Sequence, residues 1–170
     1  MRFPKWVAIG VISISLFCLF TMLNGKYERE EYDRYVKFYR EKDVAMGWKW
    51  LNDSTDQGKR IAYIGRPETY PLFGSKLKND VFYVSINDKP VSLVDFGSDG
   101  QYRKEKSYAA WLKNLRDNRV DLIFIYQDHY EPVFPIEDQW AMQDPGSFKL
   151  VYSNPKIRVY SLLNKNYDND

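Results

Sequence analysis

Three short apolar runs constrain the fold of this chain more than any other feature of its sequence. They span residues 60–65, 81–86 and 120–126, and their apolar residues are nearly continuous instead of alternating with polar ones. Continuous runs of β-branched and aromatic residues are typical of strands that are covered on both faces. The sequence therefore predicts buried strands at the centre of an α/β domain.

Helical patterns lie between and before these runs. Residues 107–115 place four apolar side chains on one face, with Ser107 as the N-cap, and residues 43–51 place Val44, Trp48 and Leu51 on one side. A helix between two buried strands is the pattern of a crossover connection, which joins parallel strands. We therefore expect a three-layer, mostly parallel, Rossmann-like sheet.

The C-terminal part has a different pattern. Residues 148–153 and 156–162 alternate polar with apolar side chains on either side of Asn154 and Pro155. Alternation around a tight turn predicts an antiparallel hairpin. We expect the last strand of this hairpin to lie at one edge of the sheet.

An uncharged apolar run occupies residues 6–23. As a helix it would be about 27 Å long, close to the hydrocarbon core of about 30 Å in a bilayer. No small-residue cleavage motif follows the run, which favours an uncleaved anchor over a removed signal peptide. The expected fold is thus preceded by one transmembrane helix, and the expected localisation is the cell membrane, single-pass, with the domain on the extracytoplasmic side.

These patterns divide the chain into four parts. They are an anchor (1–25), a juxtamembrane helix (26–43), a soluble α/β domain (44–163) and a disordered polar tail (164–170). The net charge of +2 indicates no nucleic-acid surface. Cys18 and His129 are the only cysteine and histidine, so we expect no disulfide, no metal site, no cofactor and no catalytic residues.

The loop after the first run is the first candidate ligand site. Arg66 suits a phosphate or a carboxylate, Glu68 lies beside it, and Tyr70 is suited to stacking on a sugar ring. Ligands of open α/β sheets bind outside the carboxyl ends of the strands. The loop lacks the glycine spacings of phosphate cradles, so a purely structural turn is the competing interpretation.

The loop after the third run is the second candidate. It contains Asp128, His129 and Glu131, which together suit a small metal or acid–base group. A solvated loop is the competing interpretation, because polar residues at strand ends commonly just meet water. We expect the two loops to lie near each other if their strands are neighbours.

Several segments resemble a known membrane enzyme family. They are residues 48–52 (WKWLN), 58–65 (GKRIAYIG), 70–74 (YPLFG), 79–84 (NDVFYV), 120–125 (VDLIFI) and 148–154 (FKLVYSN). Together they resemble the C-terminal extracytoplasmic domain, with its last membrane helix, of polyprenyl-phosphate-sugar-dependent, protein-mannosyltransferase-like glycosyltransferases. The resemblance places catalysis in a membrane-embedded part that this chain lacks, so it carries over no catalytic residue.

The resulting functional expectation is a membrane-anchored accessory domain related to cell-envelope glycosyltransferases and not catalytic on its own. Its expected partners are the membrane, a multi-spanning glycosyltransferase or a lipid-linked sugar. One alternative is a small sugar- or phosphate-binding protein, or an enzyme, that uses the two candidate loops. A second alternative is a protein-interaction module that uses the sheet edge at residues 156–162.

Overall fold

The computed structural model describes residues 30–55, 58–65, 68–87, 103, 105–128 and 132–163. Its helices are α1 (residues 30–38), α2 (Lys42–Ser54), α3 (Tyr108–Asp117) and α4 (Ile136–Gln143), with a 3-10 helix at Tyr70–Phe73. The strands are β1 (Arg60–Ile64), β2 (Asp80–Tyr83), β3 (Leu122–Tyr126), β4 (Phe148–Ser153) and β5 (Ile157–Leu162).

The five strands form one mixed sheet in the order β2-β1-β3-β5-β4. Strand β1 pairs in parallel with β2 and β3, whereas β5 pairs antiparallel with both β3 and β4. The expectation of a mostly parallel, Rossmann-like sheet is therefore wrong, since two of the four pairings are antiparallel. The short connection at residues 154–156 makes β4 and β5 antiparallel, because only antiparallel strands can be joined by so tight a turn. Since β5 then lies between β3 and β4, it also pairs antiparallel with β3.

The two strands of the β4–β5 hairpin also occupy opposite positions in the sheet from those expected. Strand β5 occupies the interior of the sheet between β3 and β4, and β4 forms the edge. Most side chains of β5 are buried, while Leu150 of β4 is 48% exposed. The expected edge at residues 156–162 is thus wrong: Ile157 and Val159 of β5 pack on one side of the sheet, and Tyr160 and Leu162 pack on the other. A strand that is covered on both faces belongs in the interior of a sheet.

Apolar cores cover both faces of the sheet. On one face α3 and α4 pack over Ile64, Ile123 and Ile125, with Trp111 of α3 at the centre. On the other face α2 packs through Trp48 over alternate residues of the same strands. The burial of β1 and β3 on both sides confirms what their continuous apolar runs predict. For the run 81–86 the same prediction is wrong, because β2 lies at the edge of the sheet and its residues 81–83 are only half-buried.

The expected membrane span finds no support in the described part of the chain. Its longest helix, α2, has 13 residues, and no helix there is long and apolar enough to cross a bilayer. The expectations of one transmembrane helix and of a single-pass membrane localisation are therefore wrong for the described part of the chain. The apolar run 6–23 itself and the tail 164–170 lie outside the described residues.

Helix α1 packs back onto the domain. The hydroxyl of Tyr32 donates a hydrogen bond to the main-chain carbonyl of Trp48 at 2.9 Å. Burial, followed by the nearby charge of Asp53, raises the pKa of the Tyr32 hydroxyl above its ordinary value. Residues 30–38 are therefore part of the packed structure, within the segment 26–43 that the sequence assigns to a juxtamembrane helix.

Candidate binding crevice at the carboxyl ends of β1 and β3

The carboxyl ends of β1 and β3 lie side by side where the strand order reverses. The chain leaves β1 toward β2 on one side, while β3 pairs with β1 on the other. In open α/β sheets this position forms the ligand crevice. Gly65 ends β1 with φ +95°, and a Cβ atom there would lie 2.5 Å from the carbonyl oxygen of Tyr126. Glycine is therefore required for the two strand ends to approach so closely.

A small cavity lies beside these strand ends on the α2 face. It measures about 10 Å³, room for about one water molecule. Among the described residues of its lining, Glu68 is the charged one, and the Glu68 Oε2 atom is buried. The lining residues are Val44, Trp48, Tyr63, Ile64, Glu68, Leu72, Phe124 and Tyr126.

Three tyrosines, Tyr35, Tyr39 and Tyr70, form an aromatic rim next to this cavity. The ring of Tyr35 lies edge-on to Tyr70 with the centroids 5.5 Å apart, and stacks on Tyr39 at 5.9 Å. Tyr39 in turn packs edge-on against Trp48 at 4.4 Å. Tyr35 is 39% exposed and Tyr70 is 41% exposed, so the rim presents aromatic surface to solvent.

A second carboxylate, that of Glu41, lies on the β3 side of the crevice. The Tyr126 hydroxyl donates a hydrogen bond to Glu41 Oε2 at 2.7 Å. Glu41 is the residue just before α2, so this bond fixes the start of that helix to the end of β3. Glu41 and Glu68 are thus two described charged groups at the crevice, and both are acidic.

The structure brings together part of the site that the sequence predicts. Glu68 lines the cavity, Tyr70 belongs to the aromatic rim, and Asp128 lies partly buried two residues after β3. The other three predicted site residues, Arg66, His129 and Glu131, lie outside the described residues. Among the described residues, no group of three or more acidic, histidine or cysteine side chains could hold a metal ion.

A buried ion pair between Arg103 and helix α4 escaped the sequence-based reasoning. Arg103 binds Glu137 of α4 through two hydrogen bonds of 2.7 Å each, and its Nη1 also donates to the Tyr83 hydroxyl at 3.2 Å. Glu137 is fully buried. Burial alone would lower the pKa of Arg103, but its hydrogen bonds to Glu137 raise it above the ordinary value.

The next residue of α4 repeats the arrangement. Asp138 accepts hydrogen bonds from Arg158 and from the Tyr160 hydroxyl, the latter at 2.8 Å. Burial raises the pKa of Asp138, against the opposing effect of Tyr160 and Arg158. Burial and the bond to Asp138 raise the pKa of Tyr160 to about 12. Glu137 thus accepts two hydrogen bonds from Arg103, and Asp138 accepts one from Arg158 and one from Tyr160. These four bonds hold α4 against the rest of the domain.

Sequence reasoning also missed the aromatic neighbours of the crevice. Tyr63 and Tyr126 lie near the ends of the first and third runs, and a strand-end position is the signal that could have placed them there. No local signal pairs Tyr35 with Tyr70, because they are far apart in the chain. Comparison with known proteins adds nothing to this site: no family model matches the chain, and no curated protein matches it.

Proposed function

We propose that this domain is a binding domain, not catalytic on its own, that recognises a sugar at the aromatic rim and serves a glycosyltransferase. The observation that carries the proposal is the pair of exposed tyrosines, Tyr35 and Tyr70, beside the carboxyl ends of two parallel strands. The link to polyprenyl-phosphate-sugar-dependent glycosyltransferases rests on the resemblance of the sequence alone.

The chemistry of the rim suits a neutral sugar. The C–H faces of a sugar ring pack on aromatic rings, and its hydroxyl groups donate hydrogen bonds to carboxylates such as Glu68. The two ring planes meet at 72°, which forms a corner that holds a ring from two sides. A small number of polar groups beside apolar surface is the usual composition of a ligand site.

A phosphate ligand suits the described part of the crevice less well. Glu41 and Glu68 lie there, and ionised carboxylates offer a phosphate no hydrogen-bond donor. The sugar portion of a lipid-linked sugar is therefore the part that we expect the rim to contact. A glycosyltransferase that uses such a sugar is the proposed protein partner.

Titration with sugars, followed by ¹⁵N–¹H NMR, tests this proposal. Neutral hexoses and short neutral oligosaccharides are added to the full chain, and the shifts of Tyr35, Trp48 and Tyr70 are followed. The variant Tyr70→Ala should weaken binding about tenfold, because one of the two ring contacts is lost. Tyr152→Ala is the matched control, since Tyr152 stacks on Trp50 at 4.9 Å and lines no part of the crevice.

Two results would contradict the proposal. The first is the absence of shifts at the rim with every sugar tested. The second is an equal loss of affinity in the Tyr70→Ala and Tyr152→Ala variants, which would indicate a general effect on the fold. A sugar affinity that Tyr70→Ala leaves unchanged would place binding elsewhere and counts against the rim in the same way.

Protein interaction through a sheet edge is supported less. Among the described strands the exposed edge next to β5 is β4, where Leu150 contributes apolar surface. The register of β4 on β5 shifts between Leu150 and Tyr152. Such irregularities interrupt the row of main-chain groups that an added strand needs.

A further inference from the structure

The side chains that helix α4 buries most completely are mainly charged. Its fully buried residues are Glu137, Asp138 and Ala141, and only the last of these is apolar. Helix α3, on the same face, buries Ala110, Trp111 and Leu115 instead. The first turn of α4 also has no side-chain N-cap, so the two carboxylates are the groups that complement its N-terminus.

This composition makes the docking of α4 specific but weak. Apolar burial is the main favourable term in packing, and the apolar side chains that α4 adds to the core are the small Ala141 and the half-buried Trp140. A buried ion pair recovers in attraction roughly what it loses in hydration, and apolar replacements of the same volume often stabilise a protein more. The bonds to Arg103 and Arg158 therefore fix where α4 sits without contributing much net stability.

We propose that α4 undocks from the domain as a unit while the sheet, α2 and α3 stay folded. The surface beneath it is aromatic: Trp111 stacks on Phe148 at 5.2 Å and packs against Trp140 of α4 at 5.6 Å. The fully buried Trp111 Nε1 has no hydrogen-bond partner among the described residues. Opening lets water reach this N–H group, which offsets part of the cost of losing the α4 contacts.

Native-state hydrogen exchange on the full chain tests this directly. We expect the amides of α4 to exchange through an opening that is independent of denaturant and more frequent than that of β3 by about 100-fold or more. Equal protection of α4 and β3, with the same dependence on denaturant, would show one cooperative unit and would overturn the proposal.

Two variants separate the role of the ion pair from a general loss of stability. Arg103→Met leaves the Glu137 carboxylate buried without its arginine, and should lower the protection of α4 by about 100-fold or more with β3 unchanged. The double variant Arg103→Met/Glu137→Met replaces the pair by apolar groups, and should restore or exceed the original protection of α4.

The control is Lys113→Met, which removes an exposed ion pair with Asp117 on α3 and should leave both elements as they were. If Arg103→Met does not fold, the double variant alone decides. Protection of α4 in the double variant that falls below that of the original protein, with β3 unchanged, would overturn the proposal.

Discussion

The close approach of β1 and β3 at Gly65 provides the sharpest test of the fold. Both Gly58 and Gly65 have a positive φ, +89° and +95°. A Cβ at position 58 would meet none of the described residues within 4 Å, whereas one at position 65 would lie 2.5 Å from the Tyr126 carbonyl oxygen. The substitutions Gly58→Ala and Gly65→Ala therefore share the backbone effect and differ in the contact.

The magnitudes follow from these two geometries. A left-handed conformation costs an alanine about 1–2 kcal/mol, which we expect as the whole effect of Gly58→Ala. At position 65 the Tyr126 oxygen has to move by about 0.9 Å to reach ordinary contact distance. That oxygen belongs to a paired strand, so the movement distorts the sheet and adds about 1–3 kcal/mol, as overpacking does elsewhere. The smaller unfolded-state entropy of alanine applies to both variants and cancels in their comparison.

Urea unfolding of the two variants measures this difference. For a slope of about 1–3 kcal/mol per molar urea, the unfolding midpoint of Gly65→Ala should lie about 1 M below that of Gly58→Ala. Equal midpoints would refute the reasoning, because they would show that β1 and β3 do not approach each other as closely at Gly65. A lower midpoint for Gly58→Ala would refute it more strongly.

Two further predictions concern packing and pH. Gly47→Ala gains about 1 kcal/mol in helix propensity, but the added Cβ would lie 2.9 Å from Ile157 Cγ1. We therefore expect the free energy of unfolding in urea to fall by about 1 kcal/mol. A rise in this free energy would show that α2 can move away from β5. The Tyr108 hydroxyl donates a hydrogen bond to the Asp144 carboxylate. Burial and this bond raise the pKa of Tyr108 to about 12. Hydrogen bonds from Tyr108 and Ser147 lower the pKa of Asp144. The bond therefore contributes its full stability at any pH between the ordinary pKa of aspartate and the ordinary pKa of tyrosine. This stability is lost at acid pH, as the pH falls through the lowered pKa of Asp144. It is also lost at alkaline pH, as the pH rises from about 10 to 12 and Tyr108 ionises. Thermal unfolding of Tyr108→Phe across pH checks this, since the variant should flatten both limbs of the pH profile, and unchanged limbs would contradict it.

The sequence predicts the centre of the sheet because there the signal is local. The continuous apolar residues of β1 and β3 require cover on both faces, and Trp48 and Trp111 supply it from the two sides. The alternation in residues 148–162 likewise predicts the hairpin of β4 and β5. What the alternation cannot specify is which strand of the hairpin pairs with β3, since that depends on burial against residues far away in the chain.

The site was less predictable for the same reason. The loop after β1 leads to Glu68 and Tyr70, but Tyr35 meets Tyr70 only through the packing of α1 on α2. The charged supports of α4 are also non-local, since Arg103 and Glu137 are 34 residues apart. Charged residues in a polar segment usually indicate exposure, and tertiary pairing overrides that rule here.

The hydrogen bond between Tyr126 and Glu41 has a mechanical consequence. It ties the tip of a central strand to the point where the backbone turns from α1 into α2. A displacement of α1 therefore also displaces the end of β3, which is the strand end that Gly65 allows β1 to approach closely. Force applied to the amino-terminal side of the domain would be transmitted to the crevice before it reached the distant β4 border.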